Sequence, residues 1–169
     1  MSNPKLDLDL IAETRKNWTT RGLQEIEAMV AATSLARAHQ IMLGRVNHVL
    51  AEHGLTFSRY EALALLSFAR GQAMGMARVG ERLQVHPTSV TSTIDRLERD
   101  GLVARAPNPE DRRSTLVQLT ADGGVVLENA TASLESIRWG MSEIEDRELA
   151  ALASTLGQVR ESAGDVVDE

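Results

Sequence analysis

Two short stretches carry side chains whose types and spacing suggest a chemistry. The first, HPTSVTST at 86–93, places five hydroxyl residues in the six positions from 88 to 93, behind a histidine and a proline. The second, PNPEDRRSTLVQLT at 107–120, sets Asp111 before Arg112 and Arg113, then alternates Thr115, Val117 and Leu119 with Leu116, Gln118 and Thr120. Small hydroxyls approach flat polar edges closely and both donate and accept hydrogen bonds. Guanidinium groups seek phosphate and negative potential. Both sets suit the reading of a polyanion rather than the making of bonds.

Enzymatic chemistry finds no comparable constellation. Nucleophilic catalysis needs a Ser or Cys with a base and an orienting acid, or else a clustered metal site. This sequence has no cysteine, no nucleophile-elbow pattern and no phosphate-cradling glycine loop; the glycines of GQAMGMARVG are scattered. Three of its four histidines, His39, His48 and His53, fall on or just after one helical stretch. Only His39 and His53 share a face, and almost four turns separate them, too far for one ion. The expectation is no enzyme, no metal and no cofactor.

The net charge of −6 argues against a nucleic-acid partner only until it is mapped. Residues 135–169 hold nine acids against three arginines, which is the whole excess; the rest of the chain balances fifteen Lys or Arg with fifteen Asp or Glu. Acidity therefore belongs to the C-terminal segment. No apolar run approaches the roughly 20 residues that span a bilayer. The start, MSNPKLDLDL, lacks the pattern of a signal peptide. A cytoplasmic protein with no membrane contact is expected.

The positioning elements are mostly helical. Residues 7–18 suit a short amphipathic helix with Leu8, Ile11 and Trp18 on one side, and Gly22 marks a joint. Residues 23–52 read as one long helix, stopped by Gly54. Thr56 suits the N-cap of a helix from Phe57 to about Ala69, with Tyr60, Leu63, Ala64 and Leu66 inward. After GQAMG, residues 76–83 form a short helix with Met76, Val79 and Leu83 spaced for burial. Pro87 suits the first position of the next helix, 87–100, closed by Gly101, with Val90, Ile94 and Leu97 as a narrow apolar stripe. Residues 102–106 and 115–119 are two strands of a hairpin. Thr120 caps a helix to about Trp139, and Ser142 with Glu145 offers a capping box for a last helix to about Arg160. The class is mainly α with a small β-hairpin.

A helix, a tight turn and a second helix with one apolar stripe form a helix-turn-helix. A helix lying in the major groove buries one side only, so its other face must be small and able to hydrogen-bond base edges. Thr88, Ser89, Thr91 and Ser92 meet that need, with His86 at the entry. An ordinary exposed helix would favour Glu, Lys, Gln or Ala instead. The hairpin then reads as a wing: Arg113 inserts into the minor groove, Asp111 orients it and Arg112 meets a phosphate. A winged-helix module that binds only protein is the competing reading.

Asp111, Arg113, Val117, Leu119 and Thr120 fall in the spacing D-x-R-x-x-x-V-x-L-T, preceded by IDRLERDGLVAR. This resembles the MarR family of winged helix-turn-helix transcriptional regulators, over roughly residues 23–160. The resemblance implies double-stranded DNA as partner, a homodimer with N- and C-terminal dimerisation helices, a pseudo-palindromic operator, and a ligand-responsive repressor. It divides the chain into an extension helix (1–21), a dimerisation helix (22–54), a DNA-binding lobe (55–120) and C-terminal dimerisation helices with an acidic tail (121–169). That tail would lie away from DNA. The N-terminal helix resembles the extension of urate-responsive and related members, whose pocket uses a Trp, an Asp and an Arg. Trp18 matches the first, Glu61 stands for the Asp, and Thr93 replaces the Arg; the competing reading has Trp18 stapling the N-terminal helix to the dimer core and Glu61 solvated. Arg15, Arg45 or Arg59 would supply a substitute charge for a small organic anion as effector.

Overall fold

The computed structural model describes residues 9–109 and 114–165, in two compact units, residues 1–45 and 46–169. In the first unit, α1 spans Leu10–Thr20 and is capped by Asp9, whose carboxylate accepts from the Ile11 and Ala12 N–H groups. Gly22 takes a left-handed φ of 67° at the joint, and α2 begins at Ile26. The expected start at Leu23 is three residues early, because Glu25 also adopts a left-handed backbone. The helix α2 (Ile26–Leu50) carries its last turn, with Val46 and Leu50 fully buried, into the second unit. A 3-10 turn follows, and Gly54 ends it at φ 68°, as the stop signal required.

The second unit is a helical lobe over a small sheet. The helix α3 spans Phe57–Phe68. Thr56 has the extended backbone of an N-cap, but its side chain does not cap; Asn47 Oδ1 accepts from Phe57 N–H at 2.8 Å instead. Tyr60, Leu63 and Leu66 are buried as expected, whereas Ala62 rather than Ala64 completes the core face. The hairpin gains a strand that the sequence did not announce. Ala73–Gly75 (β1) pairs antiparallel with Thr115–Leu119 (β3), which pairs in turn with Val103–Pro107 (β2), giving the order β1-β3-β2.

Between β1 and β2 lie α4 (Met76–Leu83) and α5 (Pro87–Arg99). Val79, Val90, Ile94 and Leu97 are 0–3% exposed and pack the two helices over α3. Gly80 permits the close approach: a Cβ there would lie 3.2 Å from Val90 Cγ2. The helix α6 (Ala121–Ser136) starts at Thr120, whose hydroxyl donates to Gly101 O (2.8 Å) and accepts from Gly123 N–H (2.9 Å). It ends three residues before Trp139, in a turn where Arg138, Trp139 and Gly140 all take positive φ. Trp139 sets its ring edge-on to Tyr60 at 5.6 Å, and Tyr60 Oη meets Thr131 Oγ1 at 3.0 Å. The capping box exists but sits three residues later than expected: Glu145 is the N-cap of α7 (Asp146–Ser162) and Glu148 its partner. Residues 141–144 form turns, which leaves Ser142 outside the helix.

Candidate nucleic-acid interface

The N-terminus of α5 is built for presentation. Pro87 occupies the first position, where no N–H is needed, and His86 Nδ1 accepts from Thr88 N–H at 3.3 Å. In a neutral ring that leaves Nε2–H outward as a donor. Along the outer face of α5 runs an open groove of about 660 Å³, lined by Pro87, Thr88, Thr91, Ser92, Asp95, Arg96 and Arg99. The hydroxyls of Thr88 and Ser92 have no partner among the described residues, while Thr91 donates to Pro87 O at 3.1 Å.

The hydroxyl run does not all face one way. Ser89, together with Thr93, lines a second cavity on the flank of α5, away from the groove. Sequence reasoning also missed two groove residues, Arg96 and Arg99, both exposed in the last turn of α5. Their signal was available: positions 88, 92, 96 and 99 follow helical spacing.

A carboxylate in such a groove would repel phosphate, and Asp95 lies there. Arg105 on β2 neutralises it, with Nη2 at 2.6 Å from Asp95 Oδ1 and Nη1 on Glu98 Oε2; its backbone N–H also donates to Glu98 Oε1 at 3.2 Å. The hydrogen bond that Arg105 donates to Asp95 raises the Arg105 pKa further above its already high value, so the guanidinium is permanently charged. The same bonds fix the wing strands against α5. Hairpin contacts persist outward to Asn108, whose side-chain amide donates to Ser114 Oγ at 2.8 Å. Asp111, Arg112 and Arg113 lie outside the described residues.

Of the expected effector residues, Arg15, Trp18 and Arg45 belong to the first unit, on α1 and α2. Arg15 is ion-paired with Glu27. Arg59 and Glu61 lie on α3 in the second unit. Arg59 is paired with Asp100 and donates to Gly54 O at 2.6 Å, so its charge ties α3 to the end of α5. Glu61 has no partner among the described residues, and burial raises its pKa. It lines the flank cavity of about 280 Å³ with Ser58, Ala62, Val79, Leu83, Val85, Ser89, Val90, Thr93 and Ile94. Glu61 and Thr93 thus line one cavity.

His53 Nε2 meets Ser133 Oγ at 2.9 Å, and no group of three potential metal ligands occurs among the described residues. No described helix is long and apolar enough to cross a membrane. One acid of the C-terminal segment departs from expectation. Asp165 accepts from Gln84 Nε2 at 2.8 Å, at the turn that precedes α5, and from Arg160 Nε at 2.5 Å. The Arg160 hydrogen bond lowers its pKa.

A family model described as the MarR family matches residues 53–114. The crystal structure of Sco5413, a MarR family transcriptional regulator from Streptomyces coelicolor, is 45% identical with a TM-score of 0.79, covering 85% of this chain and 99% of that one. The organic hydroperoxide resistance transcriptional regulator of Bacillus subtilis is 31% identical over 102 residues, 60% of this chain and 67% of its own. Sco3205 from Streptomyces coelicolor, solved in complex with DNA, is 20% identical with a TM-score of 0.73 over 80% of this chain and 87% of that one, a likeness of fold alone.

Proposed function

The chain belongs to the MarR family of DNA-binding transcriptional regulators, and from that premise we propose that it acts as a homodimeric repressor released by a small-molecule effector. Each protomer reads one half of a pseudo-palindromic operator, the half-sites about one helical turn, roughly 10 bp, apart. The helix α5 enters the major groove with Thr88, Thr91 and Ser92 toward base edges and His86 at the entry. Ser89 sits on the flank, and Arg96 and Arg99 meet phosphates. Arg113, oriented by Asp111, enters the minor groove, and Arg112 takes a phosphate. The observation that carries this reading is the polar groove along α5, with unpartnered hydroxyls at Thr88 and Ser92 and its one carboxylate neutralised.

The dimer rests on apolar surface that one chain leaves open. No residue of α7 is buried, although Leu149, Leu152 and Leu156 follow helical spacing and Val159 is 58% exposed. A second copy covers such a stripe, which makes α2, α6 and α7 the dimerisation helices and residues 55–120 the DNA-binding lobe. The likeness of α1 and Trp18 to the urate-responsive extension supports an effector site. Thr93 in place of an arginine argues against urate itself. Arg15 and Arg59, both suited to an organic anion, are already paired with carboxylates.

The test is a salt titration of binding to the DNA upstream of the protein's own gene, against scrambled DNA of equal length. A regulator of this kind binds the native sequence much more tightly, and its affinity falls steeply with salt. Arg113→Ala weakens that binding without changing the dimer, and Ser92→Ala alters base preference more than non-specific affinity. Equal weak binding to both DNAs, at every salt concentration, would leave the protein-binding module as the better account.

A further inference from the structure

The end of α7 reaches back to the DNA-reading lobe. After Ser162 the helix closes through Gly164, at a left-handed φ of 77°, and Asp165 N–H donates to Arg160 O at 3.0 Å. This turn sets the Asp165 carboxylate between two donors. One oxygen accepts from Gln84 Nε2 at 2.8 Å, across 81 residues of sequence, and the other from Arg160 Nε at 2.5 Å. We propose that Asp165 is an internal stand-in for a DNA phosphate: it occupies the Gln84 amide while DNA is absent and must leave before Gln84 binds the operator backbone. The inference rests on the regulator reading above and adds Gln84 to its DNA contacts.

Gln84 stands where a backbone contact belongs. It is the C-cap of α4, in the turn that leads into Pro87 at the start of the reading helix. Its backbone is left-handed, with φ 51°, a position that glycine or asparagine usually fills. The longer side chain is exposed, and its amide has Asp165 as its one partner among the described residues. In a helix-turn-helix the first helix crosses the DNA backbone while the N-terminal residues of the second reach bases, so the turn between them faces a phosphate strand. Glutamine amides are common donors to such phosphates.

A carboxylate at that place offers what a phosphate offers, an acceptor oxygen with a negative charge. The Arg160 hydrogen bond lowers its pKa, so the charge is present at neutral pH. Two such anions exclude each other, because repulsion acts within a Debye length, about 8 Å at physiological ionic strength. The hold is also releasable. Arg82, exposed in the last turn of α4, has no partner among the described residues, and the neutral Gln84 amide holds Asp165 instead. A single amide contact breaks more readily than a bidentate arginine pair. Bound DNA and a closed C-terminal turn therefore oppose each other through one donor.

Fluorescence anisotropy with labelled DNA from upstream of the protein's own gene, and with scrambled DNA of equal length, tests the exchange. Asp165→Ala should tighten binding about three- to tenfold, by the same factor on both DNAs because phosphates carry no sequence. In a Gln84→Ala background the same change should gain nothing, since nothing then holds the carboxylate at the turn. A gain that persists there would come from charge alone and would overturn the proposal, as would unchanged or weaker binding by Asp165→Ala. The chain has no cysteine, so Gln84→Cys with Asp165→Cys can be bridged by bismaleimidoethane, the link being intrachain if the band stays at the monomer position on a denaturing gel. The bridged protein should bind both DNAs more weakly than the unbridged double variant; equal binding would refute the need for release. Wild-type binding that ignores Asp165 sinks the exchange alone, whereas no binding of either DNA by the wild type or any variant sinks the regulator reading and the exchange with it.

Discussion

Gly123 and Gly124 are neighbours in the first turn of α6, and their replacement by alanine should move stability in opposite directions. A Cβ on Gly123 would lie 2.0 Å from Leu102 O and 2.9 Å from Leu119 Cδ1, whereas one on Gly124 meets nothing within 4 Å. Real Cβ contacts essentially never fall below 3.0 Å, so Gly123→Ala must push the helix about an ångström from a backbone carbonyl. Overpacking of this kind costs about 1–3 kcal/mol. The displaced carbonyl also accepts from Thr120 N–H at 3.2 Å, a bond worth about 1 kcal/mol. Relief of glycine's backbone entropy offsets about 0.5–1 kcal/mol. The net loss is about 1–3.5 kcal/mol, or a fall of about 0.5–1.8 M in the urea midpoint for a slope of about 2 kcal/mol per M. Gly124→Ala keeps only the entropic gain and should raise the midpoint by about 0.3–0.5 M. Circular dichroism during urea unfolding, at one protein concentration for all variants, measures both. Parallel shifts, or a neutral Gly123→Ala, would refute the packing argument.

Arg105→Ala should lower operator affinity several-fold and cost about 1 kcal/mol of stability, because it frees β2 from α5 and leaves Asp95 uncompensated in the groove; fluorescence anisotropy with labelled operator and urea unfolding check the two effects. Glu61 has a raised pKa, so folding disfavours its charged form, and stability is lost as pH rises through the folded value. Glu61→Gln should therefore be more stable than the wild type at neutral pH, with the gain vanishing as pH falls to the ordinary glutamate range; thermal midpoints between pH 4 and pH 8 are the check. Ile94→Ala removes a fully buried side chain from the α3–α5 contact and should cost about 2–5 kcal/mol in the same unfolding assay.

Where covalent geometry acts locally, the sequence was a good guide. Pro87 and Gly101 bracket α5 to within a residue, because a fixed φ and a left-handed backbone act at their own positions. The strand β1 had no such signal. Its three residues show no alternation, and pairing with β3 alone makes them a strand. The last capping box was readable as a kind but not as a place, since Ser142 and Glu145 are both competent caps. The same division holds at the interface. Residue types announced hydroxyl recognition, but a rotation of 100° per residue separates Ser89 from Thr88, and packing decides which of them faces the groove. Arg59 was a candidate effector residue because its partner, Asp100, lies 41 residues away in sequence.

The base of the wing has a mechanical consequence. The strand β3 ends at Leu119 and α6 begins at Ala121, so Thr120 alone joins them, pinned to Gly101 and Leu102 by two hydrogen bonds. Thr120 is thus a fulcrum. Torque applied to the strands passes into the first turn of α6 without slack, because Gly123 already abuts Leu102. On the other strand, Arg105 struts the lever against α5 and sends part of the load into the reading helix. Strain on the hairpin is delivered at once to the helix that reads and to the helix that runs on toward the C-terminus.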